Sequence, residues 1–186
     1  HTSEDDQQHD TISTAQNTAD DMNRQVTGKA VSIPRVKGSV IIKRGDLLQA
    51  TDDMLVHQTN CISTKPWGLA KSIFATFPHA NTYTNRKTPS TPGTIEVTGT
   101  RHGKQRMIVN MNAQYNPGRA SADLTDNEDA RQDYFWNCLQ ALGRHIKENM
   151  KGTVTVGMPW RIGCGLAGGK WERYREMIDN WASTAY

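Results

Sequence analysis

The chain has 186 residues and a mass of 20.8 kDa, enough for one domain. Its hydrophobic fraction of 35% and mean hydropathy of −0.71 are low for a chain packed throughout, and without an apolar run of about 18 residues it holds no helical membrane span. The net charge of +3 divides unevenly: residues 1–30 carry −4 and the other 156 carry +7, a body suited to an anionic partner but too weakly basic to demand nucleic acid.

In residues 1–28 the only large apolar side chains are Ile12, Met22 and Val26. So few cannot offset the entropy of ordering, and the segment is expected to be a tail or linker, with a short helix over 15–24 as the alternative. The domain proper is expected over 29–186. No charged-then-apolar leader is present, although a chain that begins at His1 leaves a removed leader open. The three cysteines, Cys61, Cys138 and Cys164, are odd in number and form no C-x-x-C pair. That argues against a disulfide framework and a zinc site, and for a reducing, intracellular compartment.

The first strand signal is Ser39–Lys43, β-branched and broken by Arg44-Gly45-Asp46; Met54–Gln58 is the second. Leu69, Ala70, Ile73, Phe74 and Phe77 recur at helical spacing over 68–76, and Pro78 stops that helix. A polar loop over 79–92 leads to two strands, 93–98 and 106–114, around the turn His102-Gly103-Lys104. Residues 116–128 read as a loop. A helix over 129–150 presents Phe135, Cys138, Leu139, Leu142 and Ile146 on one face. A buried strand over 153–158 follows, then a glycine-rich loop, then a helix over 170–183 bearing Trp171, Tyr174, Ile178 and Trp181. Strands alternating with helices predict a three-layer α/β/α sandwich around a mixed sheet.

Gly163-Cys164-Gly165-Leu166-Ala167-Gly168 satisfies G-x-G-x-x-G between a strand and a helix. The dinucleotide-binding reading of that motif needs a further strand and an acid about 20 residues on. Only 18 residues follow Gly168, so that unit cannot be completed. What remains is a loop whose backbone N–H groups can approach an anion at the head of a helix; a tight turn without a ligand is the alternative.

From about Lys37 onward the chain resembles the macrodomain family, and four segments in the family's order carry the likeness. They are Gly45-Asp46-Leu47-Leu48, Val56-His57-Gln58-Thr59-Asn60-Cys61, Trp67-Gly68-Leu69-Ala70 and Met158-Pro159-Trp160-Arg161-Ile162-Gly163-Cys164-Gly165-Leu166. Within the family these look nearest to the branch of the terminal-ADP-ribose glycohydrolase and the ADP-ribose-1″-phosphate phosphatase. The resemblance implies a monomeric protein that binds ADP-ribose or an ADP-ribosyl derivative, with no cofactor and no metal. Asp46 would accept from the adenine amino group, with the Leu47 backbone beside it. Gly68 and Leu69, with Ile162, Gly163, Cys164, Gly165, Leu166 and Ala167, would cradle the diphosphate. Asn60 would hold the distal ribose, and Tyr115 or Trp160 could stack on a ring. Read from the residues alone, Asp46 is equally a helix N-cap, and Tyr115 and Trp160 are equally core residues.

The resemblance makes His57 the catalytic candidate, at a strand end beside the distal ribose, and favours phosphate as the group removed. Three departures weigh against turnover. Gln114 and Ala167 stand where the glycohydrolase carries a lysine and an acid, and Lys65-Pro66-Trp67 replaces the usual glycine run before Gly68. The family also closes its sheet with a strand after the last helix; here either that strand lies beyond Tyr186 or Lys29–Pro34 supplies an edge in its place. Alternatives to the phosphatase are a non-catalytic ADP-ribose reader, a mono-ADP-ribosyl hydrolase with a non-standard site and, from another class, a nucleic-acid-binding module.

Overall fold

The computed structural model describes residues 38–184 in full and residues 10–18 by their backbone. A six-stranded mixed sheet is built from β1 (Asp10–Thr18), β2 (Ser39–Arg44), β3 (Met54–Asn60), β4 (Thr94–Thr98), β5 (Met107–Gln114) and β6 (Gly152–Pro159), in the order β2-β1-β6-β3-β5-β4. Strands β2, β6, β3 and β5 run in one direction; β1 and β4 run against them. Three helices flank the sheet: α1 (Gly68–Thr76), α2 (Glu128–Asn149) and α3 (Trp171–Ser183). These are the helices expected from the sequence, within a residue or so at each end.

Side-chain alternation along the strands divides the core in two. Met54 and Val56 of β3, the odd residues of β5 and Val154, Val156 and Met158 of β6 meet Phe135, Leu139, Leu142 and Ile146 of α2 and Tyr174, Ile178 and Trp181 of α3. On the other face Leu55 and Ile108 meet Ala70, Ile73 and Phe74 of α1, with Leu47 and Tyr83. Every residue of β5 is buried, because helices or loops cover both of its faces.

One expectation is overturned within the segment expected to be a tail. Residues 10–18 form β1, a strand inserted between β2 and β6, with Asp10–Ala15 registered against β2 and Thr11–Thr18 against β6. The helix considered over 15–24 is excluded at 15–18 by that strand. The rest of 1–28, and the candidate edge Lys29–Pro34, lie outside the described residues. Two ladders satisfy the backbone of β1, so its place does not depend on a row of large apolar side chains.

The ladder between β3 and β6 is short. It pairs only Met54 with Val156 and Leu55 with Gly157, although β3 continues to Asn60 and β6 to Pro159. Beyond that point the two parallel strands open a gap at their C-terminal ends, where open α/β sheets place ligands.

Candidate functional site: a cleft lined by backbone donors

The gap is a cleft of about 640 Å³. Gln58 and Asn60 from β3 with Ser63 after it, Lys65 and Trp67 to Ala70 around the start of α1, Gln114 at the end of β5 with Pro117 and Gly118, and the run from Pro159 at the end of β6 to Ala167 form its walls. Nearly all the residues expected to bind ligand come together here: Asn60, Gly68, Leu69, Ile162, Gly163, Cys164, Gly165, Leu166 and Ala167. Asp46 and Leu47 do not line it. Asp46 stands just past β2 at the same edge of the sheet, exposed, its Oδ1 accepting from the Leu48 N–H at 2.9 Å as cap of a 3₁₀ turn. The Leu47 side chain is wholly buried.

The loop after β6 is folded so that its donors stay free. Arg161 turns the chain at φ 57°, the only positive value at a non-glycine among the described residues. Cys164 then donates to the Arg161 carbonyl, Gly168 to Gly165 and Gly169 to Gly163. Among the described residues no acceptor takes the N–H groups of Ile162, Gly163, Gly165, Leu166 and Ala167. Gly163 lies flat against Tyr174 at φ 77°, where a Cβ would come within 2.7 Å of the ring; only glycine fits. Facing this loop, α1 begins at Gly68 with no side-chain cap from Trp67, so its first-turn N–H groups are open too. The two walls touch where the Leu166 side chain reaches Gly68: a Cβ there would stand 2.7 Å from Leu166 Cδ1.

Charge on the walls is one-sided. Lys65 and Arg161 line the cleft, neither paired with a carboxylate among the described residues, and no Asp, Glu or His lines it. Burial pushes the Cys164 thiol up to about 11 and the Tyr83 hydroxyl up to about 12, so both stay protonated at neutral pH. Gln114 is engaged: its Oε1 accepts from Gln58 Nε2 at 2.7 Å, and its own Nε2 donates to the Asn116 carbonyl. Trp160 lines the cleft and packs on Trp171, with ring centroids 5.1 Å apart, whereas Tyr115 does not line it.

The structure places His57 elsewhere. β3 runs two residues beyond its expected end, so His57 sits inside the strand, 1% exposed, on the α1 face. Its ring stands edge-on to Phe74, and its Nε2 lies 2.6 Å from Asn110 Oδ1. The Asn110 amide donates to the Ala80 carbonyl, so Oδ1 is the acceptor and Nε2 carries the proton. Nδ1 is buried with no hydrogen-bond partner. A second proton there would be neither solvated nor bonded, and burial lowers the His57 pKa to about 4.

This gives a prediction in stability. The unfolded chain protonates His57 near 6.5 while the folded protein does not until about 4, so stability falls as pH drops through that window. The loss is on the order of 3 kcal/mol, from 1.36 kcal/mol per pK unit. Asp53, Glu96 and Asp126 have lowered values and lose their contribution only below about 4.5, whereas His145, also lowered, shares the His57 window. Urea unfolding at pH 7 and pH 5 is therefore compared between the native chain and His57→Gln. The variant should flatten most of the difference; an unchanged slope would assign it to His145.

Two arginines outside the expected site hold the cleft walls. Arg131 of α2, nearly buried, pairs with Asp126 at 2.7 Å and donates to the carbonyls of Asn116, Gly118, Arg119 and Ala167. It thereby ties the wall after β5 to the glycine loop. Arg86, in the loop before β4, reaches the turn after β3. Neither shows in the sequence, since both act on backbone atoms remote in the chain.

No protein-family model and no curated protein matches the chain. Among solved structures it is similar to the macrodomain of Mycobacterium tuberculosis DarG, at 20% identity and a TM-score of 0.50, over 76% of this chain and 90% of that one. With the six-stranded mixed sheet and the cleft at the ends of its parallel strands, this likeness identifies the fold of the chain as that of a macrodomain.

Proposed function

We propose that the chain binds ADP-ribose groups in this cleft and holds them without turning them over. The observation that carries the reading is the cleft's lining: unpartnered N–H groups on two facing walls, two unpaired cations, and no carboxylate or imidazole among the lining residues. A diphosphate is a multiply charged anion that such donors hold by hydrogen bonds alone. Hydrolysis at the distal ribose needs a group that takes or gives a proton near neutral pH. His57, named for that task from the sequence, is enclosed within β3 against Phe74 and does not line the cleft, and Gln114 and Ala167 have no group that titrates near neutral pH. These placements support the reader over the phosphatase.

Asp46 at the end of β2 supports adenine as the base, in one arrangement. Its Oδ1 is taken by the Leu48 N–H, which leaves Oδ2 for the 6-amino group. Guanine offers a carbonyl at that place and would meet a carboxylate.

Titration calorimetry should show one saturable site for ADP-ribose, of roughly micromolar affinity or about 8 kcal/mol. GDP-ribose should bind at least about tenfold more weakly, 1.4 kcal/mol, and Asp46→Ala should remove the preference. Equal affinity for the two in the native protein would take Asp46 out of the site. Incubation with ADP-ribose-1″-phosphate should release no phosphate above the protein-free rate; steady release would return the chain to the hydrolases. Absence of ADP-ribose binding overturns the reading altogether.

A further inference from the structure

We infer that Arg86, which does not line the cleft, is the positioning residue for the end of the cleft formed by Asn60 and Ser63. The inference rests on the ADP-ribose reading and assigns one residue's part in it.

The turn after β3 has its hydrogen-bonding groups engaged one by one. Asn60 Oδ1 accepts from the N–H groups of Ile62 and Ser63, at 3.1 and 2.8 Å. The Asn60 N–H donates to Tyr83 Oη at 2.8 Å, and the Cys61 N–H to the Tyr115 carbonyl at 3.0 Å. The carbonyls are held by the loop before β4. Arg86 Nη1 donates to the Ser63 carbonyl at 2.9 Å, Arg86 Nη2 to the Asn60 carbonyl at 3.1 Å, and the Ser90 N–H to the Cys61 carbonyl at 2.9 Å. One guanidinium thus spans both ends of the turn, with a separate nitrogen of its planar fork on each carbonyl.

Arg86 is itself fixed on two further sides. Its Cζ lies 4.7 Å above the Tyr83 ring. Its Nη2 also donates to Ser90 Oγ, which donates in turn to Glu96 Oε1 at 3.0 Å. Asn112 Nδ2 donates to the same Glu96 oxygen. Burial raises the Glu96 carboxyl, but hydrogen bonding from Thr82, Asn112 and Ser90 holds it below its ordinary value, so the relay ends in a negative charge.

The consequence lies in the cleft. Asn60 is 8% exposed and its Oδ1 is spent on the turn; its Nδ2 has no acceptor among the described residues and Asn60 lines the cleft beside Ser63. A donor so placed binds a hydroxyl well only if the turn is already rigid, since otherwise ligand binding must order it. Adenine and diphosphate lie with Asp46 and the two N–H walls, and none of these is bonded to Arg86. The effect of Arg86 is therefore confined to the part of the ligand beyond the diphosphate.

The test compares ADP-ribose with ADP, which has the same base and diphosphate but no distal ribose, on the native protein, Arg86→Lys and Arg86→Met. Both variants should lose about tenfold or more in affinity for ADP-ribose and stay within about twofold for ADP, Arg86→Lys losing less. Amide exchange without ligand should quicken at Ile62 and Ser63 and stay unchanged at Leu139 and Leu142 in α2. Equal loss for both ligands, or general quickening of exchange, makes Arg86 an ordinary structural residue and overturns the inference. So does unchanged ADP-ribose affinity. If Arg86→Met fails to fold, Arg86→Lys carries the comparison. A native protein that binds ADP but not ADP-ribose overturns this inference while the diphosphate site stands; binding neither overturns the ADP-ribose reading itself.

Discussion

Gly165→Val should abolish ADP-ribose binding, a loss of at least about 100-fold or roughly 3 kcal/mol, while the melting temperature moves by only a few degrees. The position separates the two effects. A Cβ at Gly165 meets nothing within 4 Å, and the residue is outside the positive-φ set, so a valine is accommodated by the backbone. The open space it enters is the cleft, beside the unpartnered N–H groups of Gly165 and Leu166. Gly163 makes the contrast. There a side chain collides with Tyr174 and with Gln58 Oε1 at 2.8 Å, and φ is 77°, so Gly163→Val should lower stability as well as binding. Thermal unfolding and calorimetry on both variants check the pair. Retained affinity in Gly165→Val would move the diphosphate away from this loop.

The loop was legible because its chemistry is local. Glycines spaced between a strand and a helix mark a close backbone approach wherever they occur, and the structure gathers Gly163, Gly165 and Leu166 with Gly68 and Leu69. The same spacing also marks the dinucleotide fold. His57 was legible as an unusual residue but not in its place. With β3 ending at Gln58 it would sit near the rim; with β3 ending at Asn60 it sits inside, and two residues decide between a base and a core residue. Arg86 and Arg131 were not legible at all. Each acts on carbonyls, several of them more than 20 residues away in the chain, and a carbonyl carries no side-chain signature.

The helices and the inner strands were read from apolar periodicity, and it served wherever burial is what holds the element. Phe135, Leu139, Leu142 and Ile146 describe α2 before any coordinates do, and all four are fully buried. β1 shows where this fails. Its sequence, Asp-Thr-Ile-Ser-Thr-Ala-Gln-Asn-Thr, contains one large apolar residue, so a criterion of buried surface assigns it to a tail. The available signal was the β-branched content, Thr11, Ile12, Thr14 and Thr18, which favours extended backbone without requiring a core.

That difference has a large consequence for truncation. If residues 1–18 were a tail, removing them would leave the fold as it was. As β1 lies between β2 and β6, its removal strips the ladder partners from Gly152–Pro159 of β6 and from Ser39–Arg44 of β2. β2 then has no neighbour in the sheet, and the edge of β6, whose Val154, Val156 and Met158 are fully buried in the main core, is laid open. Bonds worth about 1 kcal/mol each are lost along two ladders at once, against a whole-domain margin of about 5–15 kcal/mol. Deleting residues 1–18 should therefore lower the melting temperature by more than about 10 °C or prevent folding. Ala15→Pro should act in the same direction from a single residue, since Ala15 is registered against both Ser39 and Thr155 and proline removes a ladder donor in mid-sheet. Because β6 leads directly into Trp160 and the glycine loop, ADP-ribose affinity should fall with stability in both variants. A truncated protein that melts with the full chain and binds ADP-ribose equally well would show that β1 contributes nothing to the sheet.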